Sequence, residues 1–368
     1  MNKWLRVIGL ACTTAVISLV AFVWPKIGKP PGKTDLYESS PNFDVDTKQF
    51  VNRRQDEYQK MMDNFDFFAL MKKQIFGTEQ RTPTHTLPIL SIDWHKFQES
   101  SEDQYYWLGH STILLKMDGK TLLFDPVFGS ASPLSFVVPR FSGNAVQLTE
   151  LPPIDVVLIS HDHYDHLSYD AIQYFKNTDT KFLVPLGVSS YLVHWGIEPE
   201  RITELDWWQE TSLFGLNFAC TPSQHFSGRR GPRGNTTLWA SWVVIAKEHR
   251  IYFSGDSGYD IHFSQIGEKY GPFDLAFMEN GQYNAIWPMS HMFPQETVQA
   301  GVDIQAKNLQ PIHWGAFKLS THQWNEPVLD VVQYAKETEL SILLPKIGEQ
   351  VEMDNAQNIE QDGWYQQP

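Results

Sequence analysis

Residues 158–169 read LISHDHYDHLSY, and how this stretch is read decides the fold. Three histidines and two aspartates occupy the six positions 161–166. They directly follow IDVVLIS (154–160), an apolar run with the continuous hydrophobicity of a strand buried on both faces. Spacing of two along an irregular loop aims His161 and His163 at one point, while Asp165 and His166 can serve a second point nearby. Neutral imidazole and carboxylate are the natural ligands of zinc and similar borderline metals. Burying so many ionisable groups without a cation would be costly, so the stretch as a unit reads as a metal loop and not as structural polar residues.

A site this rich needs ligands from elsewhere. Three later segments share one design, a strand-like run that ends in a ligand-capable residue: CTPSQHF (220–226) with His225, IYFSGDSGY (251–259) with Asp256, and LQPIHWG (309–315) with His313. Each histidine taken alone reads equally well as a hydrogen-bonded structural residue. Asp256 lies between Gly255 and Ser257, and a carboxylate there can bridge two metals through its two oxygens. Gly255 and Gly258 give the loop the small residues it needs to wrap an ion.

The rest of the chain alternates strands and helices. YYWLGHSTILLKMDGKTLLFDP (105–126) predicts two strands around Asp118-Gly119. Further strands are expected at 181–185, on both sides of Glu248, at 273–279 and at 308–315. Helices are expected at 168–177, 187–195, 295–306 and 325–337. This order argues for an α/β layered domain. The chain has 368 residues, 42% of them apolar, enough for one large core. A net charge of −14 argues against non-specific nucleic-acid binding, and no nucleic-acid partner is expected. Two cysteines, Cys12 and Cys220, exclude a disulfide-dense scaffold and a cysteine-rich zinc site.

Before the layered domain come two regions of different character. Val7 to Trp24 carries no charge, behind Lys3 and Arg6. Its length is at the short end of the ~17–25 residues of a membrane-spanning helix. The expectation is a retained single-pass anchor with residues 7–24 in the bilayer, with a cleaved signal as the alternative. Lysines flank both ends, so charge leaves the orientation open; a periplasmic or extracytoplasmic catalytic domain is the working choice. Residues 50–76 read as helical, with Met61, Met62, Phe65, Phe68, Leu70, Met71 and Ile75 as an apolar face. That face is expected to pack on the main domain, the alternative being an amphipathic element at a lipid surface. The resulting division is 1–33 anchor or signal and linker, 34–103 helical extension, 104–347 catalytic domain and 348–368 tail.

SHDHYDHL, TPSQHF, FSGDSGY and PIHWG, in this order, resemble the metallo-β-lactamase fold superfamily. WLGHST, FDPVF, ELPPIDVVLISHDHYDHL, VPLG, ELDWW, GPFDLA and IHWGAF are similar to one branch of it, the N-acylphosphatidylethanolamine-hydrolysing phospholipase D family. The likeness covers about residues 104–347. It implies a four-layer αβ/βα sandwich with two zinc ions at one rim. One zinc would take His161, His163 and His225; the other would take Asp165, His166 and His313; Asp256 would bridge them. His291, in WPMSHMF, matches a histidine near the substrate head group. Two departures stand out: Asp162 replaces an amide in the metal loop, and Glu279-Asn280 replaces an apolar pair.

The implied activity is hydrolysis of N-acylphosphatidylethanolamine-type phospholipids to N-acylethanolamine and phosphatidic acid by a hydroxide held between the metals. Such pairs, about 3.5–4 Å apart, also take up charge on phosphoryl oxygens. Asp165, Asp256 and His291 are the expected catalytic residues, with His291 as general acid or phosphate-binding group. Arg229 and Arg230, in GRRGPRG (228–234), are candidates for phosphate contact, and Tyr259, Tyr283 and Trp287 for the acyl groove, against the plainer readings of a solvated basic loop and core aromatics. The expected partners are membrane phospholipid and the bilayer, with a homodimer as candidate assembly. The competing readings are a lactonase or other carboxylic ester hydrolase of the same fold, and a membrane-tethered metal-binding protein without turnover.

Overall fold

Along Ile113–Met117 successive side chains enter different cores. Ile113, Leu115 and Met117 pack between two sheets, while Leu114 packs beneath helices on the outer face. Val157 between Val156 and Leu158, Tyr252 between Ile251 and Phe253, and Ala276 between Leu275 and Phe277 repeat this split. The period-two alternation of a strand therefore accounts for one central core and two flanking ones.

In this computed structural model residues 20–32, 35–229, 234–360 and 362–367 are described. The strands are β1 (Phe43–Asp44), β2 (Gln49–Phe50), β3 (Gln104–Trp107), β4 (Ile113–Met117), β5 (Lys120–Phe124), β6 (Val156–Leu158), β7 (Lys181–Pro185) and β8 (Ile202–Leu205). They continue with β9 (Glu210–Leu213), β10 (Leu216–Thr221), β11 (Ser241–Ile245), β12 (Arg250–Phe253), β13 (Phe273–Glu279), β14 (Ala306–Ile312), β15 (Ser341–Ile342) and β16 (Gln350–Glu352). β1 and β2 form a short hairpin. One seven-stranded sheet runs β16-β3-β4-β5-β6-β7-β8 and the other β15-β14-β13-β12-β11-β10-β9. Helices Trp94–Glu99, Tyr169–Phe175 and Ser189–His194 cover the first sheet; His262–Tyr270, Pro294–Asp303 and Glu326–Ala335 cover the second. This is the α/β layering expected from the alternation of elements.

Local chemistry sets several boundaries. Asp118 and Gly119 have φ of +46° and +72°, the left-handed pair that a two-residue hairpin between β4 and β5 requires. Ser168 and Asp93 cap their helices by accepting from backbone N–H groups of the first turn. β5, β6 and β7 run parallel, as do β12, β13 and β14, so the residues that follow them emerge at the same ends of the sheets.

The terminal regions differ from expectation. The segment 348–368 is not an appendage: β16 extends the first sheet against β3, and Trp364 and Tyr365 enter the central core. The region 34–103 is tied in as well, because Asn52 is buried and bonds both backbone groups of His225. The helical stretch is broken at residues 64–66 into Gln55–Asp63 and Phe67–Phe76. Its apolar face is packed only in part: Phe65 stacks on Trp287 and Met61 meets Met289 of the main domain, whereas Phe67–Phe76 has no buried residue and Phe68 is 84% exposed. The anchor assigned to residues 7–24 lies largely outside the described residues. Residues 20–27 are helical, and among the described residues no helix is long and apolar enough to cross a membrane.

Candidate metal centre

The seven expected ligand side chains all follow the ends of strands. His161 to His166 follow β6, His225 follows β10, Asp256 follows β12 and His313 follows β14. The turns that permit this are tight. Gly255 has φ +57°, and a Cβ on Gly258 would sit 2.1 Å from the Met289 carbonyl oxygen.

Hydrogen bonds behind the imidazoles fix which nitrogen faces inward. Asp125, fully buried at the end of β5, accepts from Ser160 N at 2.7 Å and from Ser160 Oγ at 2.6 Å. Because that hydroxyl donates to Asp125, His161 Nδ1, 2.9 Å from Ser160 Oγ, is the donor to it. His166 Nδ1 donates to Asp125 Oδ2 at 2.7 Å, and His225 Nδ1 donates to the Ser290 carbonyl at 2.9 Å. Each of these rings therefore turns its Nε2 toward the interior, where a bound cation would take the lone pair.

Those lone pairs converge. His163 Nδ1 is 2.9 Å from His161 Nε2 and 3.3 Å from His225 Nε2. Asp256 Oδ2 lies 3.8 Å from His161 Nε2 and 3.6 Å from His225 Nε2. A tetrahedral ion with metal–nitrogen bonds of ~2.0–2.1 Å has ligand–ligand edges of about 3.3 Å. The second group gathers on the other oxygen: Asp256 Oδ1 is 3.1 Å from His166 Nε2 and 3.0 Å from His313 Nδ1. Asp165 Oδ2 lies beside it, 3.7 Å from His166 Nε2 and 4.0 Å from the other nitrogen of His313, Nε2, in a cluster with His110. Among the described residues neither His166 Nε2 nor Asp256 Oδ1, both buried, makes a hydrogen bond of good geometry, which is where a cation belongs.

The electrostatics agree with the geometry. Burial holds His161 and His225 well below the ordinary imidazole value, so both are neutral and able to ligate. Burial raises the Asp256 carboxyl, but the charges of His166 and His313 overcome it and hold the group well below the usual carboxylate range. For His166 burial is likewise outweighed, here by Asp256, Asp165 and Asp125, and the ring stands well above its ordinary value. The cluster thus demands positive charge. The residues present fit metal ions.

All seven expected ligands meet here. One participant was missed: His110, in the turn between β3 and β4, places Nε2 3.0 Å from Asp165 Oδ2 and is fully buried. Its φ of +54°, unusual for a non-glycine residue, is a product of that turn. WLGHST contains it, but a single histidine in a turn carries no spacing signal. Asp125 in FDPVF was missed for the same reason.

The expected substrate residues are only partly assembled. His291 joins the centre: its ring lies 5.1 Å from that of His225 and 5.3 Å from that of His313. Arg229 does not extend toward a phosphate. It is 6% exposed and donates to the backbone carbonyls of Lys26, Ile27, Asp162 and Leu167, bracing the metal loop against the N-terminal segment. Arg230 lies outside the described residues. Tyr259 donates to Asp303, Tyr283 donates to Glu326, and Trp287 is half-buried against Phe65. Asp162 accepts from Gly228 N at 2.7 Å, tying the loop after His225 to the metal loop.

Two facing sheets with paired imidazole and carboxylate clusters at one rim define a metal-dependent hydrolase. The chain belongs to the β-lactamase superfamily: the family described as a beta-lactamase superfamily domain matches residues 120–314. Within it the chain belongs to the branch that holds the N-acyl-phosphatidylethanolamine-hydrolyzing phospholipases D. The Caenorhabditis elegans enzyme of that name, phospholipase D 1, is 38% identical over 263 residues, 67% of this chain and 73% of the relative. The uncharacterized protein Rv0906 of Mycobacterium tuberculosis is 43% identical over 276 residues, 73% of this chain and 74% of its own. Among solved structures, Igni18, a metallo hydrolase of Ignicoccus hospitalis, shares the fold with TM-score 0.54 at 20% identity, over 68% of this chain and 97% of that one.

Proposed function

We propose that the chain is a dinuclear zinc phosphodiesterase that cleaves N-acylphosphatidylethanolamine-type lipids to N-acylethanolamine and phosphatidic acid. The observation that carries this reading is the division of Asp256: one carboxylate oxygen serves each of two ligand groups. The relative named for that lipid, 38% identical, supports the substrate class. His161, His163, His225 and Asp256 would hold one ion, and Asp165, His166, His313 and Asp256 the other. When bound, the pair would supply Lewis acidity and an activated water as the nucleophile on phosphorus.

The chain's own residues do the rest. His110 donates to Asp165 and keeps its carboxylate aimed at the second group. Asp125 and Ser160 hold the ring planes of His161 and His166. His291 stands beside both groups and faces the phosphoryl oxygens or the departing oxygen. The lipid itself is drawn from a bilayer, to which residues 7–24 and the exposed face of Phe67–Phe76 attach. The test is mass spectrometry of products from a mixed-lipid vesicle incubated with zinc-loaded protein, with a lactone in parallel. N-acylethanolamine and phosphatidic acid in equal amounts are expected; lactone opening without lipid cleavage would overturn the reading.

A further inference from the structure

Glu279 is an unusual occupant of its position. It ends β13 and is fully buried. Its Oε1 lies 3.1 Å from His291 Nδ1 and accepts from Gly281 N at 3.3 Å, while Oε2 accepts from Met292 N at 2.9 Å. The only ionisable ring among these partners is that of His291. An isolated ionised carboxylate in such a place is very costly, so the pair is stable when its net charge is zero. A neutral pair carries one proton on His291 Nε2 and a second between Nδ1 and Oε1. This holds whether the second proton resides on the glutamate or on the ring.

We propose that Glu279 is the positioning residue of His291: the shared proton keeps Nε2–H as the donor to the metal centre and is available to replace a proton lost from it. A ligating atom of His291 lies within 4.8 Å of those of Asp256 and His313, so the ring reaches the reacting region. The step balances. The bond from phosphorus to the leaving oxygen breaks, and that oxygen takes the Nε2 proton. Nδ1 takes the shared proton from Oε1, so the ring stays neutral and Glu279 becomes a carboxylate. The attacking water gives up a proton to solvent, and one proton from solvent restores the pair.

This rests on the phosphodiesterase reading, and the experiment separates the two. Metal-loaded wild type, Glu279→Gln, Glu279→Ala, His291→Gln and the Glu279→Ala/His291→Gln double variant are assayed on two phosphodiesters, one with an alkyl and one with a 4-nitrophenyl leaving group. The Glu279→Ala change is expected to lower kcat about 10²-fold for the alkyl ester, the scale of general acid catalysis, and only a few-fold for the nitrophenyl ester, which leaves without a proton. Glu279→Gln can still donate to Nδ1, so it is expected to preserve KM and lose kcat on the alkyl ester. The double variant should be no worse than His291→Gln. Nitrogen-15 NMR of the imidazoles should show His291 protonated at Nε2 in wild type and Glu279→Gln, and a shifted tautomer in Glu279→Ala. Equal losses on both esters, additive effects, or an unchanged His291 tautomer in Glu279→Ala would overturn the proposal. Should wild type cleave neither ester, the phosphodiesterase reading fails, and the NMR comparison still decides whether Glu279 sets the ring.

Discussion

Asp125 Oδ2 and His166 Nδ1 are 2.7 Å apart, both fully buried, and the carboxylate also takes both donors of Ser160. One side chain at the end of β5 thereby orients two imidazoles of the neighbouring loop. Replacing Asp125 by alanine is expected to weaken metal binding roughly 10–100-fold, the scale for an outer partner of a ligating histidine. Metal titration with a competing chelator measures it; an unchanged affinity would remove Asp125 from the centre.

His163 and Asp256 separate the two groups of ligands. Losing His163 removes one imidazole from the first group alone, so His163→Ala should lose one metal preferentially. Asp256→Ala touches both groups and should lose both, with activity falling further than for Asp125→Ala. Elemental analysis of the purified variants reads the stoichiometry. Normal metal content with normal turnover in either variant would contradict the ligand assignment.

Arg229 ties residues 26 and 27 to the metal loop, so truncations should not be equivalent. Removing residues 1–19 leaves its four carbonyl partners in place. Removing residues 1–33 strips two of them from a buried cation and is expected to cost about 1–3 kcal/mol. Thermal unfolding of the two truncations gives the comparison. Both should leave the membrane fraction if residues 7–24 are the anchor.

Phe68 and Phe76 are 84% and 75% exposed on a helix without a buried residue. A paired Phe68→Asp and Phe76→Asp change should leave folding intact and reduce co-sedimentation with vesicles several-fold, while turnover of a water-soluble phosphodiester stays within about two-fold. Undiminished vesicle binding would assign the face to something other than lipid.

His249 bridges Asp103 at 2.8 Å and Asp354 at 3.2 Å, away from the metal centre. Burial works against its protonation, but the hydrogen bonds accepted by Asp103 and Asp354 prevail and raise the ring above its ordinary value. The folded state therefore binds this proton more tightly than the unfolded one. Its stabilising contribution is complete below about pH 6.5 and is lost as pH rises through the raised folded value. The Tm deficit of His249→Gln should accordingly be larger near pH ~5.5 than near pH ~8.5; the opposite order would refute the bridge.

By itself the sequence determined the layered α/β class and picked out seven candidate ligands that the fold brings together. Strand periodicity and the 161–166 spacing are local properties that survive in one dimension, and each remaining ligand closes a readable strand. It also located most elements, including β7 and β13 at their observed limits. Tertiary structure decided the rest. His110, Asp125 and Glu279 act through partners 55, 41 and 12 residues away in the chain, and although the strings around them stand out in the sequence, nothing local says which side chain each one meets. Arg229 sits among arginines and reads as a solvated loop, yet folding wraps its guanidinium in backbone carbonyls. The apolar face of Phe67–Phe76 shows the converse: the helical pattern was legible, but whether it would be covered was not. Local spacing specifies which side chains share a face; which face meets which, and so which proton or charge finds a partner, is set only when distant segments pack.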